Sequence, residues 1–392
     1  MLKVAIIGSG SISALHLEAY TRFAERCEVV AFVDISAHHA EARRDEFGLT
    51  EARIYPTVEE MLAAETIDLV SICTPPSTHE ALSVTCLNAG VNVLCEKPMA
   101  PSLAACDAIL RAEQASGAIF ASVAQNRYRD DVAQLRATVE SGLLGDVSRV
   151  VVDSSWWRGL PYYDLWWRGT WEKEGGGCTL NHAVHHIDLL LWMLGRPEAV
   201  TAVLANVAHE NAEVEDLSVA VLQYQRALAT VTSSVVDHGE PAGITVQGRH
   251  ASASLAGEVV ADLSLPNGFR VPEGDPERVE QIRAFTADLP PLKYTGHTGQ
   301  IDDFLTALET GTRPAIDGHD GRLTIEVITA IYEAGIERRA VDLPLAAENP
   351  FTQDGTLLER APRFYAKSAS VQDFAEAPAT QTADAEKAGA AR

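Results

Sequence analysis

Basic residues are scarce. Against 55 Asp and Glu stand only 31 Lys and Arg, a formal net charge of −24 over 392 residues. So acidic a chain repels polyphosphate and anionic lipid over most of its surface, which argues against a nucleic-acid or membrane-surface partner. Long apolar runs are missing as well: no stretch approaches the ~18 residues of a membrane-spanning helix. Met1-Leu2-Lys3 leads straight into the strand-like Val4-Ala5-Ile6-Ile7, leaving no room for a signal peptide. The expected location is the cytoplasm. The six cysteines (Cys27, Cys73, Cys86, Cys95, Cys106, Cys178) form no Cys-x-x-Cys pair, so buried reduced thiols are expected, not a disulfide frame or metal site. No internal repeat occurs. What remains is an ordinary globular composition, 46% hydrophobic and 22% charged, at a length that suits two domains.

The first 126 residues alternate short apolar runs (Lys3–Ile7, Val29–Asp34, Asp68–Thr74, Asn92–Cys95, Ala118–Ala124) with helical patterns. Near-continuous apolar strands are buried on both faces, which predicts an α/β, doubly wound parallel sheet of Rossmann type. Beyond Gly142–Asp146 the texture changes. Strand-like stretches at 147–155, 200–207, 217–222, 227–235 and 244–247 follow one another, broken by a helical stretch at 180–194, with helices returning at 299–310 and 320–338. This predicts an α+β domain on a largely antiparallel sheet over 127–365. Residues 366–392, rich in Ala, Thr, Ser and Gln, read as a disordered tail.

The first strand opens into Gly8-Ser9-Gly10-Ser11-Ile12-Ser13 and a helix. Gly8 permits a tight turn, and Gly10 lets the backbone approach a pyrophosphate met by helix N-terminal amides. Asp34 ends the second strand, 24 residues beyond Gly10, where a carboxylate accepts the adenosine ribose hydroxyls. The same charge repels a 2′-phosphate, and Arg43 and Arg44 lie about two turns into the next helix, so NAD is favoured over NADP.

Two more segments carry chemistry: Cys73-Thr74-Pro75-Pro76-Ser77-Thr78-His79 with Glu96-Lys97-Pro98, both just past predicted parallel strands, and Gly175-Gly176-Gly177 leading to Asn181-His182-Ala183-Val184-His185-His186-Ile187-Asp188. On a helix, Asn181 and His185 share a face, as do His182 and His186. A metal site on the histidines is disfavoured because no Cys or Glu partner is evident. Five of the six tryptophans fall in Trp156–Trp171, a density suited to stacking on sugar rings, with Arg and Tyr bonding their hydroxyls.

In order and at ordinary spacing, Gly8-x-Gly10 with His16, Thr74-Pro75-Pro76-x-x-His79, Glu96-Lys97-Pro98, Gly175-Gly176-Gly177 through His185-x-x-Asp188, and Gly296-His297-x-x-Gln300-x-x-Asp303-Phe304 resemble the glucose-fructose oxidoreductase/inositol 2-dehydrogenase (GFO/IDH/MocA) family of NAD(P)-dependent sugar oxidoreductases. The resemblance spans about 1–365. It implies that Lys97 contacts the reacting hydroxyl and that His185 takes its proton. Asn181 stands where the family often has Asp, a departure that leaves the dyad without its carboxylate. The cofactor set implied is Gly8, Gly10, Ser11, Ile12, Asp34, Thr74, Pro75, His79, Glu96 and Asn126; the substrate set is Lys97, Trp156, Tyr163, Arg168, Asn181, His182 and His185. A homo-oligomer, dimer or tetramer, is implied too.

The function expected is NAD-dependent oxidation of a secondary hydroxyl of a sugar, glycoside or cyclitol. Two alternatives stay open: a redox-assisted glycoside-cleaving enzyme that retains its NAD, and a non-catalytic NAD-binding protein. Residues 1–125 carry net −8 and the tail −1, leaving −15 on the substrate half, which favours a neutral polyol unless Arg127, Arg158 and Arg168 reverse it locally.

Overall fold

A computed structural model describes residues 1–371 of the chain. The expected tail therefore lies outside the described residues from 372 onward.

Strands β1 (Leu2–Ile7), β2 (Cys27–Val33), β3 (Arg53–Tyr55), β4 (Leu69–Ile72), β5 (Asn92–Cys95) and β6 (Phe120–Ser122) form one all-parallel sheet in the order β3-β2-β1-β4-β5-β6. This is the doubly wound order, whose reversal beside β1 opens a ligand crevice at the strands' carboxyl ends. β1 and β4 are wholly apolar or small where they pair, and Val4, Ala5, Ile6, Leu69, Val70 and Ile72 are fully buried, as a sheet covered on both faces demands.

A second sheet holds β7 (Val147–Ser155), β8 (Ala199–Ala205), β9 (Leu217–Gln223), β10 (Leu228–Ser234), β11 (Gly243–Gly248), β12 (Ser252–Ser254), β13 (Val259–Val260) and β14 (Val341–Asp342), in the order β13-β12-β11-β7-β10-β9-β8-β14. All pairs are antiparallel except β7 with β10. Burial alternates residue by residue along β9 and β10, so one face is core and the other is open. The long helix Gly318–Glu337, opened by a capping box between Asp317 and Asp320, packs against β6, β8 and the helix Val184–Leu194, and a continuous core joins the two sheets.

The helices Gly296–Thr310 and Gly318–Glu337 both cross the expected 126/127 boundary, which itself falls in the helical turn Gln125–Tyr128 after β6. The helix Gly296–Thr310 returns to the first sheet and packs on the helix Ser13–Arg22, where Arg26 pairs with Asp302 and Glu309. Residues 366–371 are placed along the tryptophan-rich loop, so the ordered chain runs six residues past 365. All six cysteines are buried and unpaired.

Candidate active site

The crevice begins at β1. Gly8 takes φ +90°, and a Cβ there would lie 2.8 Å from Thr74 Cγ2, so only glycine lets the first and fourth strand ends approach so closely. Gly10 is exposed with nothing near an added Cβ. Ser13, where a small third glycine or alanine is usual, donates its hydroxyl to Gly10 O (2.7 Å) and closes the turn from within. The Ser11 and Ile12 amides, at the start of the helix, have no acceptor among the described residues. Asp34 accepts the N–H of Ser9 (2.7 Å) and Ser36 (2.8 Å), which fixes its carboxylate at the end of β2. Beside it Ile35 is 97% exposed. Arg43 is nearer than its sequence position indicates: the helix Ala37–Glu46 swings its guanidinium to 3.2 Å from Gly10 O, while Glu46 pairs with it at 2.7 Å.

Past β4, Thr74 and Pro75 are half-buried, with Thr78 donating to Thr74 Oγ1 (2.7 Å). His79 is buried, its ring 2.9 Å from Thr74 O and 2.8 Å from Pro98 O, so it ties two crevice loops together and does not face the cofactor crevice as expected. Glu96 also points inward, 4% exposed, between His16 and His297. Asn126 is half-buried on the turn after β6.

The third wall is the glycine run and the two helices after it. A Cβ at Gly177 would run into the Glu215 carbonyl oxygen. Buried Glu215 accepts the N–H of Gly177 and Thr179 and the Tyr332 hydroxyl, holding the turn closed. The helix expected through 181–194 is broken: one turn, Cys178–Asn181, then a second helix, Val184–Leu194. Asn181 and His185 therefore share no continuous helix face. The Asn181 side chain donates back to Gly176 O and Gly177 O, and its own carbonyl accepts Lys97 Nζ (3.3 Å). Asn181 thus meets Lys97 through its backbone. His186 is bonded to Ser154 and Asp188 is locked to Arg127, which spends both as structure.

Lys97 and His185 line one cavity of about 20 Å³, room for about one water, together with Ser122, Asp188 and Thr324. Burial pushes the Lys97 ammonium below its ordinary range, with Glu96 opposing. Burial and then the Lys97 charge hold the His185 imidazole well below 6.5. His182 is driven down likewise by burial and by Arg168, Arg158 and Lys97.

The tryptophan-rich loop brings Tyr162, not Tyr163, to the site. Tyr162 OH lies 3.2 Å from His182 Nε2, whereas Tyr163 is 1% exposed and packs edge-on against Tyr162 and His209. Arg168 lies 4.1 Å from the ring centres of both Tyr162 and Trp167 and bonds Glu174, whose carboxyl burial pushes up to about 7 against the pull of that guanidinium. Trp156 is half-buried, its Nε1 spent on Ser154. Tyr162 and Glu215 are not singled out by the sequence, and Arg43, two turns into its helix by spacing, comes closer to the glycine turn than that spacing suggests. Adjacent tyrosines give no sign of which one turns inward.

A glycine cradle with free amides, a carboxylate at the second strand end, and a Lys/His pair meeting at one cavity, its lysine just past β5 of the same sheet, suit a dinucleotide and an alcohol substrate. Residues 2–124 match the oxidoreductase family with an NAD-binding Rossmann fold, and 132–254 match the GFO/IDH/MocA C-terminal domain. The chain belongs to the GFO/IDH/MocA family. Along 347 residues, 87% of this chain and 99% of the relative, it is 25% identical to inositol 2-dehydrogenase of Rhizobium meliloti (strain 1021). The WlbA dehydrogenase from Bordetella pertussis, solved with NADH and UDP-GlcNAcA, is 27% identical at TM-score 0.75, covering 88% of this chain and 98% of that one. The aldose-aldose oxidoreductase from Caulobacter crescentus is 25% identical at TM-score 0.70, covering 87% and 99%. As a member of this family the chain is an NAD-binding oxidoreductase that acts on CH–OH groups. Among the described residues, no helix is long and apolar enough to cross a membrane.

Proposed function

We propose that this GFO/IDH/MocA protein is a dehydrogenase that oxidises a secondary hydroxyl of a neutral sugar, glycoside or cyclitol to a ketone. The observation that carries this reading is the meeting of Lys97 and His185 at one cavity, with Lys97 just past the carboxyl end of β5 in the parallel sheet that carries the glycine cradle. Inositol 2-dehydrogenase as a full-length relative supports a cyclitol or sugar substrate.

The roles follow from protonation. Lys97, an ammonium held by Asn181 O, donates to the substrate oxygen and fixes the reacting carbon. His185, neutral at physiological pH because burial and Lys97 disfavour its cation, accepts the hydroxyl proton. NAD, when bound along Gly8–Ile12 and Asp34, accepts the hydride. Arg168 and Tyr162, stacked on each other, and His182 bond the remaining hydroxyls. The excess of acidic residues in the substrate half supports a neutral polyol. The assembly proposed is a homo-oligomer.

The test is a panel of myo-inositol, D-glucose, methyl β-D-glucoside and 1,5-anhydroglucitol with NAD, read as NADH absorbance and as released methanol. NADH formation by native protein, its loss by a factor of at least about 10³ in Lys97→Ala, and unchanged NAD binding are expected. Turnover retained in Lys97→Ala, or methanol release without NADH, defeats the assignment.

A further inference from the structure

Position 181 carries an amide, and the amide is committed to the glycine turn, so among the described residues no carboxylate touches Lys97 Nζ or the His185 ring. Asp188, which shares their cavity, is taken up by Arg127; the buried acid acting on both is Glu96, and its surroundings are unusual for a carboxylate at 4% exposure. No Lys or Arg among the described residues pairs with it. Instead Oε1 lies 3.0 Å from His16 Nε2 and 3.1 Å from His297 Nε2, while Oε2 accepts the Lys97 N–H at 3.1 Å. The donors can be assigned throughout. Both Nε2 atoms must carry hydrogen to face an ionised oxygen, which leaves His16 Nδ1 an acceptor for the Ser71 hydroxyl at 3.0 Å, and Ser71 Oγ an acceptor for Tyr20 O–H at 2.7 Å. The buried chain Tyr20, Ser71 and His16, whose imidazole burial holds below its ordinary range, thus ends on the Glu96 carboxylate. The three ligand-type groups also lie close enough to meet a metal ion, but these bonds already satisfy them.

Resting on the roles given above to Lys97 and His185, we propose that Glu96 is the positioning residue of that pair: clamped between His16 and His297, it fixes the Lys97 backbone and is the countercharge that position 181 lacks. The clamp spans the fold. His16 belongs to the helix after β1, Glu96 follows β5, and His297 opens the helix Gly296–Thr310 from the far end of the chain. In a dry interior a charge without a contact cation acts over several ångströms. Burial alone would raise the Glu96 carboxyl, but the bonds from His16 and His297 hold it well below its ordinary range, so it is ionised wherever the enzyme works. The other groups around the pair do not duplicate it. Arg168, His182 and His186 are cationic or neutral and His79 is spent on carbonyls. Cys73 and Cys95 are thiols raised by burial, and Asp188 is locked to Arg127.

Glu96→Gln keeps the shape and removes the charge. The readout is the pH profile of kcat for the panel member with the highest rate. Losing the countercharge disfavours both cations, so the acid limb set by His185 and the alkaline limb set by Lys97 both move down, by about one unit, with NAD affinity within about twofold. Adding Asn181→Asp to that variant returns both limbs toward native. A purely structural Glu96 would lower kcat with both limbs in place, and that result overturns the proposal. If Glu96→Gln fails to fold, judged by melting and NAD binding, Asn181→Asp in the native chain reads the same field: both limbs rise by about a unit, and unmoved limbs overturn the proposal. Turnover surviving in Lys97→Ala would instead defeat the underlying roles, so the two failures are told apart.

Discussion

His185 has no hydrogen-bond partner among the described residues and shares its cavity with an ammonium. Both facts bear on when it can accept a proton. Free imidazole titrates near 6.5; burial and the Lys97 charge lower that value, so the neutral, accepting form persists to lower pH. The rate of alcohol oxidation therefore rises with pH along a limb centred below 6.5 and is level by neutrality. A kcat/KM profile centred above 6.5 would contradict this environment, and His185→Asn should remove the limb together with most of the rate. Residue identity was legible here wherever the motif spacing is rigid: Gly8, Asp34, Lys97 and His185 stand at strand ends or on one helix, as spacing alone indicates. What spacing could not convey is the direction of a side chain in irregular backbone. Asn181 and His185 are four apart, but the helix breaks at His182, so the amide turns to the glycines. Glu96 and His79, expected at the cofactor, face inward because buried polar groups go where their hydrogen-bond partners are.

The loop carrying Tyr162 and Arg168 has little regular structure, so its shape depends on ties from elsewhere. Leu160–Asp164 is a single short helical turn. His209, itself bonded to Asp216, holds Arg158 O at 3.0 Å. From the other side Asn211 bonds Asp164 and both the N–H and C=O of Ala369, Val371 exchanges bonds with Asp164 and Trp166, and Lys367 Nζ donates to the Tyr163 and Leu165 carbonyls. Residues 366–371 lie as a strap along the tryptophan-rich loop, to which the proposed function assigns substrate contacts. Ending the chain after Tyr365 should raise KM for the sugar about tenfold with NAD affinity intact, whereas ending it after Val371 keeps the strap and native kinetics; equal KM values for the two would show that the strap is dispensable. The strap was not legible in the sequence, because it adheres through backbone and single polar side chains and leaves no apolar period. The same holds for β3, β12, β13 and β14, which are two or three residues long, and for the helix Pro276–Ala287, where Ile282 alone is buried. The central strands, being near-continuous apolar runs, were plain.

At the scale of the molecule, the second sheet leaves one face uncovered. Val203 on β8 is 70% exposed and pairs in register with Val219 of β9 at 45%; Val221 of β9 is 36% exposed, and Leu228 lies at 51% on β10. An alternating strand normally turns polar side chains to water, and neighbouring valines on the outer face of adjacent strands instead form an apolar patch of the kind that marks an interface. The charge of −24 opposes association of two such chains, so contact must rest on this apolar face, and salt should strengthen it by screening the repulsion. Light scattering is expected to give at least twice the 42.2 kDa of one chain, more firmly at 0.5 M than at 0.05 M NaCl. Val203→Lys with Val221→Lys should return the mass to that of one chain without loss of NAD binding, since the β1 crevice lies on the other sheet. A monomeric native protein, or a doubly substituted one that stays associated, would remove this face as the site of assembly.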